Sequence, residues 1–261
     1  SIKDKLSLSE VMKELIKKKS LDIIEVSKDD WFDIDTEQDL KNAEQFLIDS
    51  LKSKINDGPV SKLINRPISK RITLKISKYK LHPNQISLFV FLLAVLAGFV
   101  ISKEGHFFLL LGAIIAQFSS IIDGCDGEIA RIKMLESKFG KWFDRILDRY
   151  SELFILIGLT FHCYYLHNSI MVFFIGSLAA GTKIILSYSA YEYDKYLENS
   201  NQLRIGRDIS IFIILLGAFF DIPYLTLIIL TIIFNFEIVR RIYFLKKKLS
   251  GYKGIYKKNN L

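Results

Sequence analysis

The chain is poor in the residues that build covalent or soft-metal frameworks. It has two cysteines, Cys125 and Cys163, and neither belongs to a Cys-x-x-Cys pair. Both lie in or beside apolar segments, so they read as free thiols in a reducing setting, and a disulfide framework is excluded. The four histidines, His82, His106, His162 and His167, are scattered without metal-ligand spacing, which argues against zinc. The first 28 residues contain no glycine, so no glycine-rich phosphate loop can open the chain. The first 50 residues are charged throughout and show no cleavable signal pattern, and no internal repeat or low-complexity tract follows.

Apolar residues are abundant. Half of the 261 residues are hydrophobic, and the mean hydropathy is positive. The net charge of +8 is unevenly spread: residues 1–56 carry 10 Lys against 13 Asp or Glu, a net −3, so the remainder carries +11. A basic, apolar part suits anionic lipid heads or phosphate-bearing ligands. The positive charge flanks hydrophobic runs instead of forming a soluble stripe, which disfavours nucleic acid as a partner.

The expected fold is all-α: a polytopic membrane protein with six transmembrane helices and a juxtamembrane interfacial helix, preceded by a short soluble piece. Residues 1–56 read as soluble, with "LSEVMKELIKKK" helical, "LDIIEV" strand-like, and a helix capped by Thr36. "NDGP" at 56–59 marks a boundary. Residues 57–82 form a juxtamembrane amphipathic segment whose Lys and Arg face lipid heads. Apolar runs at 84–102, 106–122, 140–166, 169–190, 208–221 and 223–245 are the expected spans, judged against the ~20 residues a bilayer core requires. The membrane domain covers 83–249 and a basic tail 250–261. Lys and Arg concentrate before the first span, at 131–141, at 195–207 and in "RRIYFLKKK", which places both termini in the cytoplasm.

Four aspartates stand out against this background. Asp123 and Asp126 are three apart, and Asp144 and Asp148 four apart, so each pair shares a helix face. If the second and third spans are antiparallel neighbours joined around 132–139, all four carboxylates meet at one end. Like charges held close in low dielectric repel strongly, and Arg131 and Arg145 are too few to neutralise them. Divalent cations with oxygen preference, Mg²⁺, Mn²⁺ or Ca²⁺, resolve this, and four carboxylates suit a pair of such ions arranged for phosphoryl chemistry. Gly124, Gly127, Ala130 and Gly140 strip side chains from the adjoining surface. Buried carboxylates in lipid are costly, which favours function over packing as their reason.

Asp123, Asp126, Gly127, Ala130, Arg131, Gly140, Asp144 and Asp148 match D-x2-D-G-x2-A-R-x8-G-x3-D-x3-D at every fixed position. In this the sequence resembles the CDP-alcohol phosphotransferase family, and "HPNQIS" at 82–87 resembles that family's entry to its first helix. The resemblance covers about 59–249. It implies transfer of a phospho-alcohol from a CDP-linked donor to a hydroxyl, with release of CMP. It further implies two divalent cations on Asp123, Asp126, Asp144 and Asp148, with Asp148 also the catalytic base. Asn84, Asp123, Gly127, Ala130 and Arg131 would hold CDP. A homodimer is expected.

A second resemblance lies in "DDWFDIDTEQDLKNAEQFL" at 29–47, which is similar to the closing strand and helix of a sugar-nucleotidyltransferase domain. Residues 1–56 are therefore expected to be the C-terminal remnant of a cytidylyltransferase-like domain. That order resembles the family of archaeal bifunctional inositol-1-phosphate cytidylyltransferase/di-myo-inositol phosphate phosphate synthases. It implies CDP-inositol as donor and inositol 1-phosphate as acceptor. Arg204, Arg207, Lys183 and Arg240 are the candidates for the acceptor phosphate, while Arg241 reads as snorkelling to the interface. The Ser187-Tyr188 pair lacks the basic residue that often follows it in phosphatidylinositol-phosphate synthases. Two alternatives stand beside this reading: a lipid synthase using CDP-archaeol or CDP-diacylglycerol with inositol phosphate or glycerol phosphate, and, from another class, a cation transporter.

Overall fold

A computed structural model of the chain describes residues 8–18, 33–50, 58–196 and 205–258. Among these, all regular structure is helical. The strand-like 21–26 lies outside the described residues, as does Arg204. The chain divides into two units, Ser1–Ser50 and Leu51–Leu261.

In the first unit, α1 spans Leu8–Lys17 and α2 Glu37–Ser50. Thr36 caps α2 as expected: its hydroxyl accepts from the Asp39 amide at 3.2 Å, and Asp39 accepts from the Thr36 amide at 2.9 Å. The Thr36 hydroxyl also donates to Asp39 Oδ2 at 2.6 Å, and that bond, with the one from the Thr36 amide, holds the Asp39 carboxyl below the usual carboxylate range.

The second unit opens with a π-helical turn, Ser61–Asn65, that runs into α3, Arg66–Ser77. Six longer helices follow: α4 (Pro83–Ile101), α5 (His106–Ile132), α6 (Lys138–His167), α7 (Ile170–Tyr196), α8 (Arg207–Phe219) and α9 (Pro223–Lys258). Helix α4 starts on a capping box in which the His82 ring accepts from the Asn84 amide and the Gln85 side chain accepts from the His82 amide. Among the described residues, three segments are long and apolar enough to cross a membrane: Pro83–Ile101, His106–Ile132 and Ile170–Ala190. Helix α6 has the length but carries Asp144, Arg145, Asp148, Arg149 and Glu152 in its first half, and α8 has only 13 residues. On α4 the outward positions Leu88, Phe89, Leu92, Leu96 and Phe99 are exposed. An apolar outer face of that kind suits lipid and is unfavourable in water.

The core runs through Ala94, Ala97, Ile101, Leu109, Ala113, Ile155, Leu159, Leu227 and Phe234. Helix α4 packs along both α5 and α6, whereas α5 and α6 touch each other only marginally. The antiparallel α5–α6 pair expected from the short connection is thus corrected: α4 intervenes, and the two aspartate-bearing helices are splayed. Gly98 and Gly158 make this possible, since a Cβ on either would collide with backbone of the facing helix.

Helix α3 packs Ile72 and Ile76 against the buried Ile86, Val90, Ile122 and Ile129, and beside them it turns a polar stripe inward, which a helix lying only at an interface would not require. The fully buried positions of the turn and α3 are Asn65, Ser69 and Thr73, four apart on one stripe, while Leu63 and Ile68 are exposed. That polar stripe meets Glu128 of α5, which is 1% exposed. Glu128 accepts from Arg66 Nη1 at 3.0 Å, Ser69 Oγ at 2.8 Å and Thr73 Oγ1 at 2.7 Å. A buried carboxylate with three donors is satisfied, and removal of the arginine alone would cost about 3–5 kcal/mol through the charge left behind.

Candidate active site

The splay between α5 and α6 leaves two chambers. The first, about 420 Å³, is lined by Pro83, Asn84 and Ser87 of α4, by Asp126, Gly127, Ala130 and Arg131 of α5, by the connection at Leu135–Ser137, and by Gly140, Lys141, Asp144, Arg145 and Asp148 of α6. The second, about 200 Å³, is walled by the π-helical turn and α3, by Ser120, Asp123 and Gly124 of α5, by Asp144 and Asp148, and by Gly206, Arg207 and Asp208 at the start of α8. Asp144 and Asp148 line both.

The carboxylates are distributed accordingly. Oxygens of Asp123, Asp144 and Asp148 lie within 4.8 Å of one another. Asp126 faces the first chamber, where its Oδ2 accepts from Ser87 Oγ at 2.5 Å and its Oδ1 from the Gly127 amide. Three oxygen donors at this separation, partly buried and able to share a centre, fit a hard divalent cation.

Arg207 is the counter-charge. Its Nη1 is 2.9 Å from Asp123 Oδ1 and also contacts Asp148 Oδ1. Its side chain is 9% exposed, and its Nε and Nη2 have no hydrogen-bond partner. Two buried guanidinium donors lining a cavity are unfavourable alone and form a ready seat for an oxyanion.

Of the other expected acceptor residues, the structure brings neither Lys183 nor Arg240 into a chamber. Lys183 Nζ lies 3.2 Å from Glu152 Oε1, donates to Ser210 Oγ at 3.0 Å and sits over the Phe234 ring. Arg240 forks onto Glu237 at 2.6 and 2.7 Å and lies over Phe244. Nearby carboxylates already pair both charges. Arg241 is buried, not snorkelling: it donates to Glu237 at 2.9 Å and to the Leu186 carbonyl at 2.7 Å, tying α9 to α7.

Sequence reasoning missed several lining residues. Ser87 follows Asn84 by three positions, so helical spacing alone could have placed it beside the first chamber. Asn65, Arg66 and Asp208 come from segments distant in sequence, and no local pattern marks them. Arg149 bridges the site to the interior, pairing with Glu152 at 3.0 Å and with Asp148 at 3.7 Å.

The family model described as CDP-alcohol phosphatidyltransferase matches residues 80–239. A "Bifunctional IPC transferase and DIPP synthase" of Aquifex aeolicus is 32% identical over 91% of this chain and 55% of its own length. The protein of the same name from Thermococcus kodakarensis is 33% identical over 95% and 57% respectively. An "Archaetidylinositol phosphate synthase" of Pyrococcus horikoshii is 28% identical over 64% of this chain and 85% of its own. The chain spans about half the length of the bifunctional relatives it matches, between 50% and 57% for three of them. A crystal structure of Mycobacterium tuberculosis phosphatidylinositol phosphate synthase with CDP-DAG bound shares the fold, with TM-score 0.57, 19% identity, and coverage of 68% of this chain and 92% of that one.

Proposed function

The chain belongs to the CDP-alcohol phosphatidyltransferase family, and from that premise we propose that it transfers a phospho-alcohol from CDP-inositol to inositol 1-phosphate. The products are CMP and di-myo-inositol phosphate phosphate. The observation that carries the reading is the pair of chambers sharing Asp144 and Asp148, with Arg207 presenting two unpartnered nitrogens to the smaller one.

In this reading CDP occupies the first chamber against Asn84, Gly127, Ala130 and Arg131. The acceptor phosphate enters the second and is gripped by Arg207. Asp148, on the shared wall, takes the proton from the acceptor hydroxyl. That oxygen forms a bond to the phosphorus carrying the donor alcohol, and the phosphorus–oxygen bond to CMP breaks. Arg131 lines the chamber where the leaving nucleotide's charge grows. Two divalent cations, Mg²⁺ or Mn²⁺, held by Asp123, Asp126, Asp144 and Asp148, would supply electrostatic stabilisation of the phosphates when bound. The division of carboxylates, with Asp126 in one chamber, Asp123 in the other and two shared, supports a pair over a single ion.

Six membrane-crossing helices, α4 to α9, with both chambers facing the cytoplasm, complete the proposal, as does a homodimer. Residues 1–56 are proposed to be the closing part of a cytidylyltransferase-like domain, in keeping with the bifunctional relatives. Single cysteines at positions 103 and 136 test the topology: the second should label only from the cytoplasmic side, and labelling from outside would reverse the orientation.

A lipid donor is the second reading, favoured by the archaetidylinositol phosphate relative and by the fold shared with the CDP-DAG-bound structure. Exposed Phe139 and Trp142, beside Gly140 and Lys141 on the chamber rim, would suit acyl chains. The decisive experiment offers CDP-inositol, CDP-diacylglycerol and CDP-archaeol to the purified protein with Mg²⁺ and inositol 1-phosphate, with products detected by mass. A water-soluble phosphodiester supports the first reading, and a phosphoinositide lipid the second. CMP release from none of them refutes both.

A further inference from the structure

The second chamber holds one carboxylate that the cation site does not use. Asp123, Asp144, Asp148 and Asp208 all line it. The first three have oxygens within 4.8 Å of one another, and Asp208 is not in that group. Asp208 is nonetheless buried, at 9% exposure, beside Arg207 in the first turn of α8. A helix N-terminus favours an acidic side chain, but an aspartate turned to water would give the same benefit. A charge buried at a cavity wall calls for a polar partner.

The side chain is set in place from three sides. Its Oδ2 accepts from the Ser61 amide at 2.8 Å, which ties the π-helical turn to α8. A Cβ at Gly58 would come within 2.5 Å of Oδ2, and one at Gly206 within 2.6 Å of Oδ1. Both glycines leave open the space that the carboxylate fills. The start of α8 is pinned in turn: the Ser210 hydroxyl donates to the Gly206 carbonyl at 3.0 Å and accepts from Lys183 at 3.0 Å. One carboxylate oxygen is thus committed. Among the described residues, the other, Oδ1, accepts no hydrogen bond.

We infer that Asp208 is a specificity-determining residue whose Oδ1 accepts a hydroxyl of the acceptor polyol, while Arg207 holds that polyol's phosphate. The inference rests on the proposed placement of the acceptor in the second chamber.

The division of labour follows from charge. Arg207 brings Nε and Nη2 without partners, and these suit an oxyanion. An ionised carboxylate has acceptors only, so it repels phosphate and receives O–H groups. Two consecutive residues on one helical turn therefore offer complements to the two chemical parts of a phosphorylated polyol. A phosphate ester of the same shape without hydroxyls would meet the Asp208 charge and return no hydrogen bond to it. Sites built to bond a substrate hydroxyl reject the analogue that lacks it, because the site's own polar group is left unpaired.

Two ligands separate these contributions: inositol 1-phosphate, and cyclohexyl phosphate, which has the same ring and phosphate without the hydroxyls. Dissociation constants for both would be measured by calorimetry with Mg²⁺ on the purified protein in detergent, so that the result does not depend on turnover. The proteins are wild type, Asp208→Asn and Arg207→Lys. Asparagine keeps the shape, can still accept from the Ser61 amide through its carbonyl oxygen, and presents a neutral amide where Oδ1 stood.

Wild type should bind inositol 1-phosphate about tenfold or more tightly than cyclohexyl phosphate. Asp208→Asn should weaken inositol 1-phosphate by about tenfold, the difference between a charged and a neutral partner, and bind cyclohexyl phosphate no less tightly than wild type does. Arg207→Lys should weaken both ligands. The inference is overturned if wild type does not distinguish the two, or if Asp208→Asn shifts both alike, which would make the residue only a tie between the turn and α8. If Arg207→Lys weakens both ligands and Asp208→Asn changes neither, the inference fails and the placement of the acceptor stands. If neither variant changes either affinity, or wild type binds neither ligand, both fail. Should Asp208→Asn not fold, the wild type still decides: equal affinities overturn the inference, and a tenfold preference for the polyol supports it.

Discussion

Replacing Arg207 by lysine isolates what its guanidinium contributes. In the structure Nη1 is committed to Asp123, at 2.9 Å, and to Asp148, while Nε and Nη2 have no partner. A phosphate bridging those two nitrogens would gain two charge-assisted hydrogen bonds, each worth roughly 1.5–3 kcal/mol. Lysine retains the positive charge between the carboxylates and can offer the phosphate about one such bond, so the net loss is about one bond of 1.5–3 kcal/mol. At ~1.4 kcal/mol per decade, the acceptor KM should rise by about ten- to a hundredfold. Alanine is the poorer probe, because it also leaves Asp123 and Asp148 without their cation and mixes acceptor binding with collapse of the acidic cluster. The assay is CMP release with one substrate saturating while the other is titrated, on wild type and variant. If Arg207→Lys raised the CDP-inositol KM and left the acceptor KM unchanged, Arg207 would serve the nucleotide, and the assignment of the second chamber would be refuted.

Three further outcomes follow from the geometry. Asp144→Ala, which removes a carboxylate from both chambers, should abolish CMP release and weaken Mn²⁺ binding measured by electron paramagnetic resonance; full Mn²⁺ affinity would exclude Asp144 as a ligand. Asp148→Asn keeps the shape of the wall and loses basicity, so CDP-alcohol binding should persist while turnover disappears, and a near-normal kcat would assign the base elsewhere. Gly158→Ala places a methyl against the Gly98 backbone, which should cost about 1–3 kcal/mol of stability through overpacking; a melting temperature equal to wild type would show that α4 and α6 separate freely.

The carboxylate motif was legible in the sequence because its information is local. Residues three and four apart on one helix report a shared face, and the fixed spacing from Asp123 to Asp148 crosses a single short turn. The first chamber is almost entirely made of that stretch and the adjoining start of α4. The second chamber was not legible, because Arg66, Ser120 and Arg207 meet only through packing between distant segments. The polar stripe of Asn65, Ser69 and Thr73 also hid in a run that alternates basic and apolar residues. Read alone, the run suggests a helix floating at a lipid surface, and only the Glu128 side chain, 55 residues beyond Thr73, reveals which face turns inward. Lys183, Arg240 and Arg241 were conspicuous as charges in apolar helices, but sequence could not show that Glu152 and Glu237 pair with them.

The partition of the walls bears on how such an enzyme can diversify. Among the described residues, only Asp144 and Asp148 line both chambers. Substitutions within 58–69 can reshape the second chamber without altering a residue that lines the first. Under the proposed assignment of the chambers, exchange of the segment ahead of α4 would act as an interchangeable cartridge, reshaping the acceptor pocket without redesign of the nucleotide cradle. The two common aspartates, and Arg207 that contacts one of them, lack this freedom, since any change there is felt in both chambers at once.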